Sequence, residues 1–408
     1  MRGRGRFPVT LAALLTASAA TALAAATPLA AAAATVGGPG TPPASGRLHH
    51  PTTGAGKVLV ERWNGSAWKL ASAPSPGGSG ISRLFGVAAT SASNAWAVGD
   101  YNPGGAYKSL IEHWNGSAWK QQTSPNPSST DTFLVGVDAT SASSAWAVGA
   151  YETGSVFDTL AVRWNGSSWK KVSTPNPSAT QSEFAGVAAV SASNAWAVGY
   201  YHNGSKDQTL IEHWNGSTWK KVSSPDPGGS GRNNYLTGVS ATSASNVWAV
   251  GEYANGTTDR TLILHYNGTS WKQVSSPNAG GPTSPNDFFG VSASSASNAW
   301  AVGSEGSSSK PQTLTEHWNG SSWKVVASPD PGGSNANVLY GVAAGSSTTT
   351  WAVGSYFNGS KYVTLIARWN GSTWTQVASI SGGSSSTDSD LFGVTATSST
   401  SAWAVGGS

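Results

Sequence analysis

Four residue types in this chain recur at spacings that invite a chemical reading. His113, His213, His265 and His317 each precede an aromatic-Asn-Gly mark. Imidazoles can ligate a metal or move protons. Glu61, Glu112, Glu212 and Glu316 stand one residue earlier. Carboxylates placed in pairs can perform acid–base work on a glycosidic bond. Tyr101, Tyr151, Tyr201, Tyr253 and Tyr356 follow a Gly-x pair, and amphipathic phenols suit recognition surfaces. Twenty tryptophans offer flat faces of the kind that stack on sugars. Repetition weighs against catalysis in each case. Arg62, Arg163 and Arg368 take the histidine position in other units, and arginine does not replace a metal ligand. These histidines are therefore expected to hydrogen-bond or to stack on an aromatic neighbour. The glutamates share one repeat position on a predicted third strand, away from any central pocket. No unrepeated carboxylate pair stands out. No catalytic residue, metal or cofactor is expected, and zero Cys excludes thiolate chemistry and disulfides.

The elements that position these residues follow from self-similarity. Gly-Val recurs at Gly86, Gly136, Gly186, Gly238, Gly290, Gly341 and Gly393. Trp-Ala-Val-Gly begins at Trp96, Trp146, Trp196, Trp248, Trp300, Trp351 and Trp403. The aromatic-Asn-Gly mark begins at Trp63, Trp114, Trp164, Trp214, Tyr266, Trp318 and Trp369. A period near fifty residues with strand-like segments points to a β-propeller rather than a helical solenoid. Each unit reads as four strands: in the first, Leu84–Ala89, Asn94–Tyr101, Ser109–Asn115 and Ala118–Ser124. Asn115-Gly116 joins the last two and predicts a type I′ hairpin. Lys follows the Trp of strand four in six units, Thr375 being the exception, so that strand is expected outermost, protected at its edge. Three Trp positions in each of seven units, one held by Tyr266, account for the whole Trp content. Every Trp is thus expected between blades, contributing roughly 2–3 kcal/mol of burial apiece.

The ends of the repeat are complementary. The first unit supplies only strands three and four, Lys57–Asn64 and Ala67–Ala73; the last supplies only strands one and two, Leu391–Thr397 and Ser401–Gly406. Six full units lie between. The expectation is an all-β, seven-bladed propeller of four-stranded antiparallel blades over residues 57–408. It closes by pairing the N-terminal strands 3–4 with the C-terminal strands 1–2, which removes both raw edges.

This pattern resembles the kelch-type β-propeller of secreted bacterial proteins, related in fold to the galactose oxidase central domain. Ala95–Gly99 matches the kelch hydrophobic run, with Trp114 at the Tyr position and Trp119 at the Trp position; Tyr266 and Trp271 restore the Tyr in one unit. The chain has one Gly where kelch has two. The copper radical site of galactose oxidase uses a Tyr joined to a Cys, which this chain lacks. Asn-Gly-Ser-x-Trp stands where the Asp-box of sialidases carries Asp, and the repeated arginines do not form a sialidase cluster.

Residues 1–34 read as a secretory signal peptide: Arg2, Arg4 and Arg6, an apolar Val9–Ala24 run, and small-x-small cleavage candidates at Ala22-Leu23-Ala24 and Ala30–Ala34. An uncleaved membrane anchor is the other reading of that run. Residues 35–56 read as a Gly/Pro-rich linker, in which His49 and His50 are expected to be solvated. The formal net charge is +4, and three of the positive groups belong to the signal. The remaining chain is near neutral and carries no electrostatic footprint for nucleic acid or an anionic membrane. Ten Asn-Gly-Ser/Thr sequons, among them Asn64, Asn203 and Asn358, are read as turns whose Ser or Thr follows by composition.

Binding is expected where units differ. The strand 1–2 and 3–4 turns hardly change. The strand 2–3 loops and the links between units vary and share the opposite face, bordered by Tyr101, Tyr151, Tyr201, Tyr253 and Tyr356; Glu305 breaks that series. The expectation is a secreted or envelope-associated, monomeric, non-catalytic binding propeller. It would recognise a protein or an envelope polysaccharide, with no nucleic acid, no membrane span after signal cleavage and no cofactor. A glycosidase-like carbohydrate-active enzyme and a purely structural surface module are the alternatives.

Overall fold

The structure is a computed structural model that describes residues 56–408 apart from 257 and 383–386. The expected export segment, nearly all of the linker, and His49 and His50 lie outside the described residues. The described chain forms seven four-stranded antiparallel sheets, each a blade. Blade 1 runs Ile81–Ser91, Asn94–Asn102, Lys108–Trp114 and Trp119–Gln122. Blades 2 to 6 repeat it, starting at Thr132, Ser182, Asn234, Asn286 and Asn337. Blade 7 is composite: Asp390–Ser398 and Ser401–Gly407 from the C-terminal end, then Val58–Trp63 and Trp68–Leu70 from the start of the repeats. Its closing register runs from Val58↔Gly407 to Trp63↔Ala402, as the complementary ends require. No helix long and apolar enough to cross a membrane occurs among the described residues.

The Trp-Ala-Val-Gly segment explains how blades adhere. On strand two, Trp and Val face one neighbour while the alanines between them face the other. Trp96 of blade 1 meets Trp164 and Trp169 of blade 2 at 4.9 and 5.0 Å, the second edge-on. The same triad recurs at every seam, Tyr266 standing in at one. It also crosses the closure, where Trp351 packs on Trp63 and Trp68, and Trp403 on Trp114 and Trp119. Each aromatic contact adds about 0.5–1.5 kcal/mol beyond burial. The histidine position covers the other side of the same indole. His113 stacks on Trp96 at 4.2 Å, with Nε2 2.8 Å from Asn94 Oδ1. Arg62 lies over Trp403 and Trp114 at 5.0 and 5.2 Å. A flat π system or a flat cation serves that position equally, which is why His and Arg interchange there.

The Asn-Gly hairpin forms, with a different mechanism from the one expected. Trp114 pairs with Trp119 and the Asn115 N–H donates to the Ala118 carbonyl at 3.3 Å, so Asn115 precedes the turn instead of sharing its centre with Gly116. Asn115 contributes its side chain: Oδ1 accepts from the N–H groups of Ser117 and Ala118, both at 3.0 Å. Gly116 supplies the positive φ, +95°.

Gly-Val marks the axis. At each unit the pairing of strands one and two skips the residue before this Gly, a β-bulge. A Cβ on Gly86 would lie 2.7 Å from the Val135 carbonyl oxygen of the next blade, and one on Gly341 2.6 Å from that of Phe392. Only glycine lets the inner strands approach so closely. The bulged residues project toward the axis: Phe85, Val135, Ala185, Thr237, Phe289, Tyr340 and Phe392. Phe289, Tyr340, Phe392 and Phe85, from four successive blades, contact in series at 5.7, 5.5 and 5.4 Å and plug one side. Val135, Ala185 and Thr237 are smaller, and of the seven only Thr237 and Phe289 reach solvent.

Candidate functional site

Strand one begins on the variable-loop face and strand two ends there. Two residues before each bulge stands a strand-one residue that varies between blades: Arg83, Phe133, Glu183, Tyr235, Asp287, Val338 and Asp390. Each pairs in register with a strand-two residue, and no two blades carry the same pair: Asp100, Ala150, Tyr200, Glu252, Ser304, Ser355 and Gly407. Contacts across the seams join these pairs into a zigzag around the mouth of the axis. Tyr200 meets Tyr235 edge-on at 5.1 Å. Glu252 and Asp287 share a hydrogen bond. Ser355 lies beside Asp390.

Blades 1 and 2 seal their sector. Arg83 Nε and Nη2 grip both oxygens of Asp100 at 3.1 and 3.0 Å, with both residues buried. Phe133 and Ala150 continue the apolar plug. Blades 3 to 5 present a phenol–carboxyl arc instead. Gln181 Nε2 donates to Glu183 Oε1 at 2.7 Å and to the Tyr200 hydroxyl at 3.1 Å. The Tyr235 hydroxyl donates to Asp207 Oδ2 at 2.7 Å, and His202 Nδ1 sits 2.9 Å from Asp207 Oδ1. Tyr235, Glu252 and Asp287 are partly exposed, beside the half-open Thr237 and Phe289.

The electrostatics of the arc follow from crowding acids together away from water. Burial, then the field of Asp287 and the hydrogen bond with it, raises Glu252 well above the carboxylate range. Burial and the field of Asp259 push Asp287 up to about 6, although the hydrogen bond from Glu252 pulls the other way. Both acids are thus held above the ordinary carboxylate range. Burial and Asp207 keep the Tyr235 phenol protonated.

The sequence-predicted tyrosines are not members of this arc. Tyr101, Tyr151, Tyr201, Tyr253 and Tyr356 do end strand two on the variable-loop face, all half-buried. They are not brought together: each packs in its own seam, in five separate clusters. Lys171 Nζ lies 3.8 Å from the Tyr151 ring centroid and Lys221 Nζ 3.9 Å from that of Tyr201. The repeated glutamates are seam residues, fully buried. Ser276 donates to Glu316 and Ser379 to Glu61 across the adjoining seam, while both oxygens of Glu112 and of Glu212 lack a hydrogen-bond partner. The residue pattern departs from repetition at one strand position. The break lies one residue before each terminal tyrosine, inside the strands, and the signal was the varying residue two positions before the one that precedes Gly-Val. No group of three or more His, Asp or Glu able to hold a metal occurs among the described residues.

No protein-family model matches the chain, and no curated protein matches it. Solved structures do. YCF48 bound to a peptide is 10% identical, covering 79% of this chain and 92% of its own, with a TM-score of 0.47. The GH74 xyloglucanase from Xanthomonas campestris is 15% identical over 73% of this chain, which spans 46% of the enzyme, also at 0.47. A PL25 ulvan lyase is 11% identical, covering 86% of this chain and 95% of its own, with a TM-score of 0.41.

Proposed function

We propose that the protein is an exported, non-catalytic binding propeller that takes a protein or envelope glycan on its variable-loop face. The observation that carries this reading is the zigzag. Thirteen of its fourteen members carry side chains, no two blades carry the same pair, and the partly exposed Tyr235, Glu252 and Asp287 lie where the axial plug is half-open at Thr237 and Phe289. Scaffold positions repeat in this chain and recognition positions need not. In this reading the five strand-ending tyrosines form the outer rim of the same face, and the axial arc is its centre.

The test is a screen of the full chain against arrayed glycans and arrayed peptides. Binding that falls at least tenfold with Tyr235→Ala or Asp287→Asn supports an axial site. Binding lost with Tyr101→Ala or Tyr151→Ala and kept in those variants moves the site to the rim. No binding to either array refutes the reading.

The Glu252–Asp287 pair gives the enzyme alternative its one specific observation. Paired carboxyls that share a proton can supply an acid. Two carboxyl groups in direct hydrogen bond leave no room for the glycosidic linkage that must pass between the catalytic acids of a glycosidase, which stand roughly 5–9.5 Å apart. Hydrolysis of a glycan panel, abolished by Glu252→Gln, would favour the enzyme over the binding module.

A further inference from the structure

We propose that the outer rim of blades 2 and 3 is a docking surface for an anionic polysaccharide. The inference rests on the glycan arm of the binding reading, and it names the charge of that glycan and the sector that takes it. Three observations carry it.

The first is where the fold puts its charges. The described residues hold nineteen Lys and Arg and nineteen Asp and Glu, a formal balance of zero. Thirteen of those cations are exposed, whereas Asp388 is the one exposed acid among the described residues. The acids have been drawn inward, Glu61, Glu112, Glu212 and Glu316 into the seams and Asp138 beside the axis. A neutral sum therefore conceals a cationic exterior, whose field favours a polyanion.

The second is how the cations are distributed. Strand four is the outer edge of every blade, and one Lys after its Trp guards that edge. At the next position five blades carry a neutral residue: Leu70, Gln121, Gln273, Val325 and Gln376. Blades 2 and 3 carry Lys171 and Lys221 there, which edge protection does not require. The mouth of the seam between these two blades is consequently lined from both sides. Blade 2 supplies Lys170 and Arg163, whose guanidinium lies over Trp214 of blade 3. Blade 3 supplies Lys221, held over the Tyr201 ring of the same seam. Lys120, Lys171 and Lys220 continue the series into the adjoining seams.

The third is a local conflict that a bound anion relieves. Lys170 stands directly opposite Arg163 in register, and like charges so placed destabilise a sheet. In blade 6 Arg368 faces Thr375 at this position, so the scaffold can do without the lysine. Blade 7 repeats the conflict with Arg62 and Lys69 but has Leu70 at the second position. No carboxylate of the described residues comes within ion-pair distance of any of the six cations of blades 1 to 3. The acids that feel Lys221 are engaged elsewhere: Asp226 accepts from the N–H and hydroxyl of Thr209, and Glu212 is buried in the seam. Tyrosine rings take the place of counter-ions under Lys171 and Lys221 and leave both ammonium groups exposed. The cations recur blade by blade on a convex rim, so a flexible chain of repeating charge can follow them from one seam mouth to the next.

The experiment is calorimetric titration of the full chain with short polygalacturonate oligomers and with the same oligomers methyl-esterified. The expected result is binding of the acid form alone, weakening at least tenfold from about 50 to about 300 mM salt as exposed charges are screened. Lys171→Gln combined with Lys221→Gln, which installs a residue other blades carry there, should weaken binding at least fivefold and leave the thermal melt in place. Lys272→Gln combined with Lys310→Gln removes the same charge from blades 4 and 5 and should leave affinity within twofold. Equal binding of acid and ester overturns the proposal. Equal weakening by the two double variants also overturns it, because the effect would then be net charge without a site. A polyglutamate peptide, single-stranded DNA and anionic lipid vesicles are the competing occupants, and tighter binding of any of them than of polygalacturonate overturns the glycan assignment. A neutral array ligand that needs Tyr235, with no binding of polygalacturonate, would sink this inference and leave the binding reading standing. No binding by any probe or array would sink both.

Discussion

At the scale of single residues, the protein separates scaffold chemistry from site chemistry by one position along a strand. Glu112 and Glu252 are both acids raised by burial, yet their settings differ. Glu112 is closed into a seam with neither oxygen bonded, and burial pushes it up to about 8. Leu264 and Val162 occupy the same register position in other blades, so the seam itself prefers an apolar side chain. An acid whose folded pKa is raised is protonated in the fold while the unfolded chain ionises near 4.5. Stability is then greatest below about 4.5 and falls as pH rises to about 8. Glu112→Leu is expected to stabilise the protein by ~1–3 kcal/mol at pH 8 and by much less at pH 4. Thermal melts at the two pH values check this, and an equal shift at both would contradict it. The tryptophans show the converse. Trp196 is buried between His213 of its own blade and Tyr266 and Trp271 of the next. Trp196→Ala should cost about 3–5 kcal/mol by chemical denaturation. A loss below 1 kcal/mol would mean that the seam triads do not hold the ring.

At the scale of elements, local sequence determined what repeated and concealed what did not. The four-strand unit, the interblade role of every Trp and the stacked histidines were legible because each mark recurs with a single physical reason. Asn-Gly correctly announced a hairpin, but the backbone reason was half right. Gly116 needs its positive φ, and a Cβ there would also lie 3.1 Å from Ser93 Cβ, whereas Asn115 is present for its Oδ1. Gly116→Ala should therefore cost about 1–2 kcal/mol. Asn115→Ala should cost about 1 kcal/mol, and Asn115→Asp, which keeps the acceptor, much less. Denaturant midpoints of the three variants rank these terms, and Asn115→Asp as costly as Asn115→Ala would remove the side-chain account. The axial arc was not legible for a related reason. Its facing members, Tyr200 with Tyr235 and Glu252 with Asp287, come from strand two of one blade and strand one of the next, 35 residues apart, and lie inside segments whose flanking residues repeat. Asp287 alone looks like a solvated acid before a Phe-Phe-Gly-Val run. Only ring geometry sets it against Glu252. Loops advertise variation through changes of length, whereas at this strand position only the chemistry changes.

At the scale of the whole molecule, closure is the condition on which both scaffold and site depend. Residues Val58–Trp63 pair along their length with Ser401–Gly407, and Lys57 exchanges backbone hydrogen bonds with Ser408 at 2.7 and 2.9 Å. This pairing fills two seams at once. Trp63 and Trp68 cover Trp351 of blade 6, while Trp403 covers Trp114 and Trp119 of blade 1. Glu61 accepts from Ser379 Oγ at 2.7 Å and from the Ile380 N–H at 3.2 Å, tying blade 7 to blade 6. Deleting residues 57–73 would therefore do more than shorten one sheet. It would expose the Ser401–Gly407 edge, uncover Trp351 and loosen the contact of blade 7 with blade 1, opening a raw edge prone to intermolecular pairing. The truncated chain is expected to melt well below the intact one and to aggregate on heating. Because the lost strands are short and their partners stay in place, a synthetic peptide of residues 57–73 added in excess should raise the melting temperature again, by strand addition to the vacant edge. A truncated chain that melts with the intact protein would show that the ring does not depend on its clasp. A truncated chain that melts low and is not rescued by the peptide would show that closure must form within one chain.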